Sequence, residues 1–488
     1  MVFSSLLFLY AFLPVSMIVY KLCRGSKSKN CSLLVFSLIF YAWAGPKYLI
    51  LLIFMSFSSW ICALKVEEWR AKGKNTKFWV ILSCIIDIAL LAYFKYASFI
   101  VSIFGAVPAF IKNIALPLGI SFYTFQLMTY VIDVYREDAK VQNSFLNVLL
   151  YAALFHQCVA GPIVRYGSIA DELYAPSREE EMLPGIRRFT LGLAKKALLA
   201  NACGILADAI LLPVSVSENP SEFLNNFQIL SGLTCLEAWI GIISYTLQIY
   251  LDFSAYSDMA IGMGKMIGLH YPENFDYPYI SGSVREFWQR WHMTLGGFFR
   301  DYVYIPLGGS RCSKLKIYRN LFVVWALTGL WHGAHWNFLL WGIYYFVLLV
   351  LERGSFGKLL KKIGWFSTIY VLLAVTFGFA LFRYSDLRLA GTFFKSLFRL
   401  NSNFGSDFIS ETVLLNNLFL LVFSCISCTP LIRNSFSYLY DKMQNSGVRA
   451  LVGISNALRD FGLPVVLLLL STAALVGDSY NPFLYFRF

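Results

Sequence analysis

Residues 319–353 read RNLFVVWALTGLWHGAHWNFLLWGIYYFVLLVLER, an apolar run held between Arg319 and Arg353 with His332 and His335 near its middle. At about 1.5 Å per helical residue, its roughly 31 apolar positions would extend about 46 Å, well past a hydrocarbon core of about 30 Å. The run must therefore tilt steeply or break near Gly329 and Gly333 into two half-helices. Counted from the Arg319 end, His332 lies about 18 Å deep, close to a bilayer midplane. A titratable side chain at that depth is costly unless it faces protein or a watery cavity, which makes His332 a functional candidate. A core histidine bonded to a neighbouring helix is the competing reading.

The rest of the chain sets this run among others like it. Over 488 residues the sequence is 58% hydrophobic and 14% charged, a balance that suits a bundle of membrane helices and not a soluble core. The net charge of +13 does not point to nucleic acid, because the Lys and Arg residues sit in short loops between apolar runs, as orientation signals do. The ten cysteines are scattered, and the one C-x-x-C pair, Cys425 and Cys428, lies in an apolar run with no second ligand pair; small buried hydrophobes are expected, not a metal centre. Residues 2–20 lack a basic leader and a small-residue cleavage site, so they read as a retained first span.

Positive-inside reasoning places basic residues 21–30 in the cytoplasm and the N-terminus outside. A helical hairpin follows over 31–44 and 47–64, turning at Ala44-Gly45-Pro46. The basic stretch Lys65–Lys77 brings the chain back to the cytoplasm. Residues 78–100 run outward, with Asp87 placed to pair with a neighbouring helix, and 114–132 return. Residues 145–164 break at Gly161-Pro162 and read as a re-entrant hairpin. No Lys or Arg occurs between Lys196 and Lys265, which suggests apolar 189–212, an external polar piece over 213–234, and apolar 236–251. Further spans are expected at 366–382, 412–432 and 462–477, with the C-terminus outside. The expectation is one all-α integral membrane domain over 1–488, with about ten to twelve transmembrane or re-entrant helices and amphipathic interfacial ones.

Ahead of the central run, 285–311 reads REFWQRWHMTLGGFFRDYVYIPLGGSR. At 100° per residue, Phe287, Trp288, Trp291, Leu295, Phe298, Phe299 and Tyr302 share an arc of about 120°, as in an aromatic helix lying at a membrane interface. His292 falls at the edge of that arc, able to point into the bundle. The arginines Arg285, Arg290 and Arg300 suit phosphate groups, while a plain interfacial anchor would show the same pattern.

Spaced as H-x-x-H, His332 and His335 would share a helical face, but the glutamate and third ligand of a zinc hydrolase are absent from the motif. A desolvated, neutral histidine can accept a proton from a hydroxyl, which fits acyl transfer from an activated ester to an alcohol with His332 as general base. A polysaccharide or lipid carrier, its histidines lining a path and doing no covalent chemistry, fits the same residues.

The strings LPLGISFYTFQLMTYVIDVYR (116–136), AGPIVRY (160–166), YLDFSAYSDMAIGMG (250–264), YPENFDYPYISGSVREFWQRWHMTLGGFFRDYVYIPLGGSR (271–311) and LTGLWHGAHWNFLLWG (327–342) resemble the membrane-bound O-acyltransferases. The likeness is greatest to the bacterial alginate O-acetylation branch, which is related to the teichoic-acid D-alanyl transfer proteins. It spans a motif-bearing core over 116–352. The resemblance implies His332 as the catalytic histidine and His292 as the second functional one. It also implies a ring of helices around a thin central region, reached by a funnel from each side. The donor would be acetyl-CoA or another acyl thioester, taken from the cytoplasmic side. The receiving partner would be an extracytoplasmic SGNH-type acetyltransferase that modifies polysaccharide, with D-alanyl transfer from a carrier protein as the alternative. The aromatic tail 482–488 is similar to tails of this branch, which makes Tyr485 a candidate acyl relay; an interfacial anchor explains it equally. Two departures stand out: His156, which reads as structural, and Gly296-Gly297, which would loosen the helix after His292.

Overall fold

The computed structural model describes residues 2–158, 161–401 and 404–477, and these are helical apart from loops and one isolated bridge between Phe275 and Trp291. Among the described residues, six helices are long and apolar enough to cross a membrane: Pro46–Ala71, Lys77–Phe104, Met182–Leu211, Phe366–Arg383, Phe408–Ser427 and Arg449–Gly477. Two bent pairs, Pro220–Gly232 with Cys235–Met266 and Trp336–Glu352 with Ser355–Ile363, raise the number to eight. The difference from ten to twelve lies in shorter apolar pieces, such as Phe8–Leu22, and in half-crossings. In the apolar windows of Phe408–Ser427 and Arg449–Gly477 only 11% of residues are buried, so these two helices need lipid as their solvent. The chain is a multi-pass membrane protein.

Contacts gather the chain into two compact units, residues 1–192 with 256–273, and residues 193–255 with 274–488. In the first unit the expected hairpin forms as Ser26–Ala44 and Pro46–Ala71, the proline opening its second helix. Asp87 does meet a neighbouring helix, with the Ser59 hydroxyl 3.5 Å from its carboxylate. The stretch 145–164, expected to break at Gly161-Pro162, forms a helix of only nine residues, Phe145–Ala153, and the chain turns directly after it. His156 lies within that turn. It is buried, with Nδ1 3.3 Å from the Tyr271 hydroxyl, as suits a structural residue.

The second unit contains the central run. It does break, into helices Lys314–His332 and Trp336–Glu352, and Gly333–His335 form the turn. The two arms pack closely because neither Gly329 nor Gly342 has a side chain. A Cβ on Gly329 would stand 2.3 Å from the Phe338 carbonyl oxygen, and one on Gly342 equally near that of Trp325. The shared helical face expected for His332 and His335 is not formed. His332 ends the first arm, whereas His335 lies exposed in the turn, just ahead of the second.

Candidate active site

The aromatic arc over 285–302 is not one continuous helix. It forms Val284–Arg290, an interruption at Trp291–His292, then Met293–Phe299 and Arg300–Tyr304. His292 has φ 43° and ψ 53°, the left-handed region that side chains other than glycine seldom adopt. The cause is long-range. The segment 274–276 runs alongside, with Asp276 N–H donating to the Arg290 carbonyl and Met293 N–H donating to that of Asn274, both at 2.9 Å. That pairing draws two residues out of the helix and turns the imidazole inward. The helix continues through Gly296 and Gly297, so the break falls at His292 and not after it.

The first helix is fixed at its start by two side chains. Ser283 caps the Glu286 N–H. Glu352, at the end of the second hairpin arm, accepts from Val284 N–H at 2.7 Å and Arg285 N–H at 3.0 Å. Trp288 then inserts between the arms, its ring centroid 4.9 Å from Trp325, 5.4 Å from Trp341 and 4.8 Å from Tyr345. One aromatic cluster thus ties the His292 segment to the His332 hairpin, and it carries the dispersion and edge-to-face contacts such rings make.

His292 is 2% exposed. Its Nδ1 lies 3.0 Å from Asn274 Oδ1, which also accepts from the Thr294 hydroxyl and N–H. An oxygen receiving those donors must receive from His292 too, so Nδ1 carries the proton and Nε2 presents a lone pair. Phe253 meets the ring edge-on at 4.8 Å. Burial holds the imidazole neutral, pushing its pKa down to about 3.

His332 is 7% exposed and sits among aromatic rings: Trp341 at 4.9 Å, Trp331 at 5.0 Å and Phe382 at 5.2 Å, each near edge-on. Trp331 also lies 5.7 Å from His292. Its indole is therefore a neighbour of both histidines, and the structure brings together the pair that the sequence singled out.

The arginines fare differently. Arg290 is engaged by Asp276 at 3.2 Å and Glu286 at 3.0 Å, and Arg300 by its neighbour Asp301 at 2.6 Å. Arg285 is exposed and lines an open cleft of about 550 Å³ with Asp276, Ser283, Glu286, Gln289 and Arg290. Two carboxylates in that lining offset much of the positive charge. Tyr485 lies outside the described residues.

Sequence reasoning passed over Asn274, Trp331 and Phe382. Asn274 and Trp331 stood inside quoted motifs, but only the backbone course shows that they touch the histidines. Phe382 closes an apolar run, and nothing local marks it as a neighbour of His332.

The family model "MBOAT, membrane-bound O-acyltransferase family" matches residues 135–385. The chain is 37% identical over 424 residues to the probable alginate O-acetylase AlgI of Pseudomonas aeruginosa, an alignment covering 84% of this chain and 76% of that one. It is 28% identical over 544 residues to the peptidoglycan O-acetyltransferase of Helicobacter pylori, covering 100% and 98%. To the teichoic acid D-alanyltransferase of Bacillus subtilis it is 28% identical over 281 residues, covering 54% and 67%.

Proposed function

Because this chain belongs to the membrane-bound O-acyltransferase family, we propose that its acyl group is acetyl, taken from cytoplasmic acetyl-CoA and passed across the membrane for O-acetylation of an extracytoplasmic polysaccharide. The acetyl assignment, set against D-alanyl, rests on relatives: the two named for O-acetylation align over 84% and 100% of the chain, the D-alanyl one over 54%. The chain would lie in the cytoplasmic membrane with its N-terminus outside, and an extracytoplasmic acetyltransferase would receive the acetyl group.

One observation carries the site assignment: two buried histidines share a single aromatic enclosure, with Trp331 against both. In this reading His332 takes the proton of the accepting hydroxyl as its oxygen bonds to the thioester carbonyl carbon. Collapse of the tetrahedral intermediate breaks the C–S bond, and the proton leaves with the thiolate as free thiol. The indole N–H of Trp341 is buried and has no hydrogen-bond partner among the described residues, so it is a donor for the oxyanion. His292, protonated on Nδ1 by its bond to Asn274, would share protons through Nε2. Arg285, at the open cleft, is the arginine best placed for the donor's phosphates; Arg290 and Arg300 are committed to carboxylates.

The test is His332→Ala in the purified full chain, supplied with labelled acetyl-CoA. Acetyl release should fall by about 10²-fold or more, since loss of a general base removes a factor of 10²–10⁴. Undiminished release by folded protein would take His332 out of the mechanism.

A further inference from the structure

Arg383 closes the helix Phe366–Arg383, and its side chain is 1% exposed. The guanidinium donates from Nη2 to Asp208 at 2.8 Å and to the carbonyl of Leu212, and it lies 4.6 Å over the Tyr245 ring. Leu212 has φ 68° at the end of helix Asn201–Leu211, and the Tyr384 hydroxyl donates to the Leu211 carbonyl at 3.3 Å. Two consecutive side chains thus hold the last carbonyls of one helix against the end of another.

As a source of stability this arrangement is poor. Burying an ion pair costs desolvation that its attraction seldom exceeds, and apolar residues often replace such pairs without loss. The fork is also underused, because Nε and Nη1 have no hydrogen-bond partner among the described residues. Its effect is geometric. The residue before it, Phe382, presents its ring edge-on to His332 at 5.2 Å and to Phe338 at 4.9 Å, and lies tilted against Trp341 at 5.6 Å. The backbone there is also gripped from the far side of the turn: the Asn337 amide donates to the carbonyls of Leu381 and Phe382 at 3.3 and 3.2 Å. Asn337 is the second residue of the arm that follows His332 and its turn.

We infer that Arg383, paired with Asp208, is a positioning residue for the reaction, which fixes the end of its helix so that Phe382 holds the His332 imidazole in its working orientation. The inference rests on the role proposed for His332. It assigns no contact with substrate to Arg383 itself, and it makes Phe382 the intermediary.

The experiment uses full-length protein in nanodiscs, with labelled acetyl-CoA as probe and rates expressed per folded molecule. Arg383→Met and Phe382→Leu should each lower kcat by about tenfold to a hundredfold and leave KM for the donor unchanged, as expected when a reacting group is misplaced. Arg383→Lys keeps the charge and one bond and should recover most of the loss. The double variant should be no slower than the worse single one, since both changes break one linkage. If Arg383→Met does not fold, Asp208→Asn takes its place in the same cycle. Wild-type turnover in the Arg383 or Asp208 variant, or losses that multiply in the double variant, would overturn the inference. His332→Ala is run beside them. If it is active, the assignment of His332 fails; if it is inactive while Arg383→Met turns over normally, only the positioning inference fails.

Discussion

A buried imidazole bonded to an amide oxygen is a proton account with a definite sign. His292 titrates near 6.5 in the unfolded chain and at about 3 in its enclosure. Above pH 6.5 both states are neutral there, and its contribution to stability is fully present. As pH falls from 6.5 towards 3, only the unfolded chain takes the proton, so stability drops by at most about 1.4 kcal/mol per pH unit on this account. The expected outcome is an apparent unfolding temperature that declines below pH 6.5, with a shallower decline in His292→Gln. Parallel declines, read by thermal denaturation of the two proteins in detergent, would show that another group is responsible. The same residue marks a limit of reading the sequence. His292 stood out as a lone histidine on an aromatic arc, but its left-handed backbone could not be seen there, because it depends on a pairing with Asn274 and Asp276.

At the scale of elements, what the sequence shows clearly is what its local grammar encodes. A run too long for a bilayer, with two glycines near its centre, had to break, and it does so at Gly333. The hidden part is where elements meet. A 100° periodicity drew 285–302 as one continuous helix, since the aromatic arc is real; the interruption comes from a strand-like segment that begins more than ten residues upstream. The close approach of the hairpin arms gives a prediction at this scale. Gly342→Ala puts a methyl group against the Trp325 carbonyl, so the arms must separate. A loss of about 1–3 kcal/mol is expected, as for overpacking elsewhere, together with reduced acetyl release. Gly296→Ala is the control: the nearest atom to its new Cβ is 3.8 Å away, and the helix gains in propensity. Equal unfolding temperatures for the two variants would contradict the packing account.

Across the whole molecule, the membrane class, the order of the apolar runs and both histidines were open to reading from composition, spacing and resemblance. The supports of the site were not, because charge reaches them from far along the chain. Asp208 lies in the stretch devoid of Lys and Arg, and its partner Arg383 is 175 residues on. A second pair, Lys196 with Asp252 at 2.8 Å and buried on both sides, joins the same helix to the one that carries Phe253, the neighbour of His292. Helix Met182–Leu211 therefore bears one charge towards each histidine's aromatic neighbour, a relation that no window of sequence displays.

The Glu352 carboxylate gives that long reach a practical meaning. It accepts the first two N–H groups of the helix leading to His292, while it stands at the foot of an arm about 25 Å long whose other end adjoins His332. Glu352→Gln keeps the size and gives up half the grip, and it should slow acetyl release severalfold while the donor still binds with unchanged KM. Unaltered kcat would refute this. A geneticist meeting such an allele would file residue 352 among the surface positions, remote from any chemistry, and would be misled: this hairpin is a lever, and its handle is out of sight of its load.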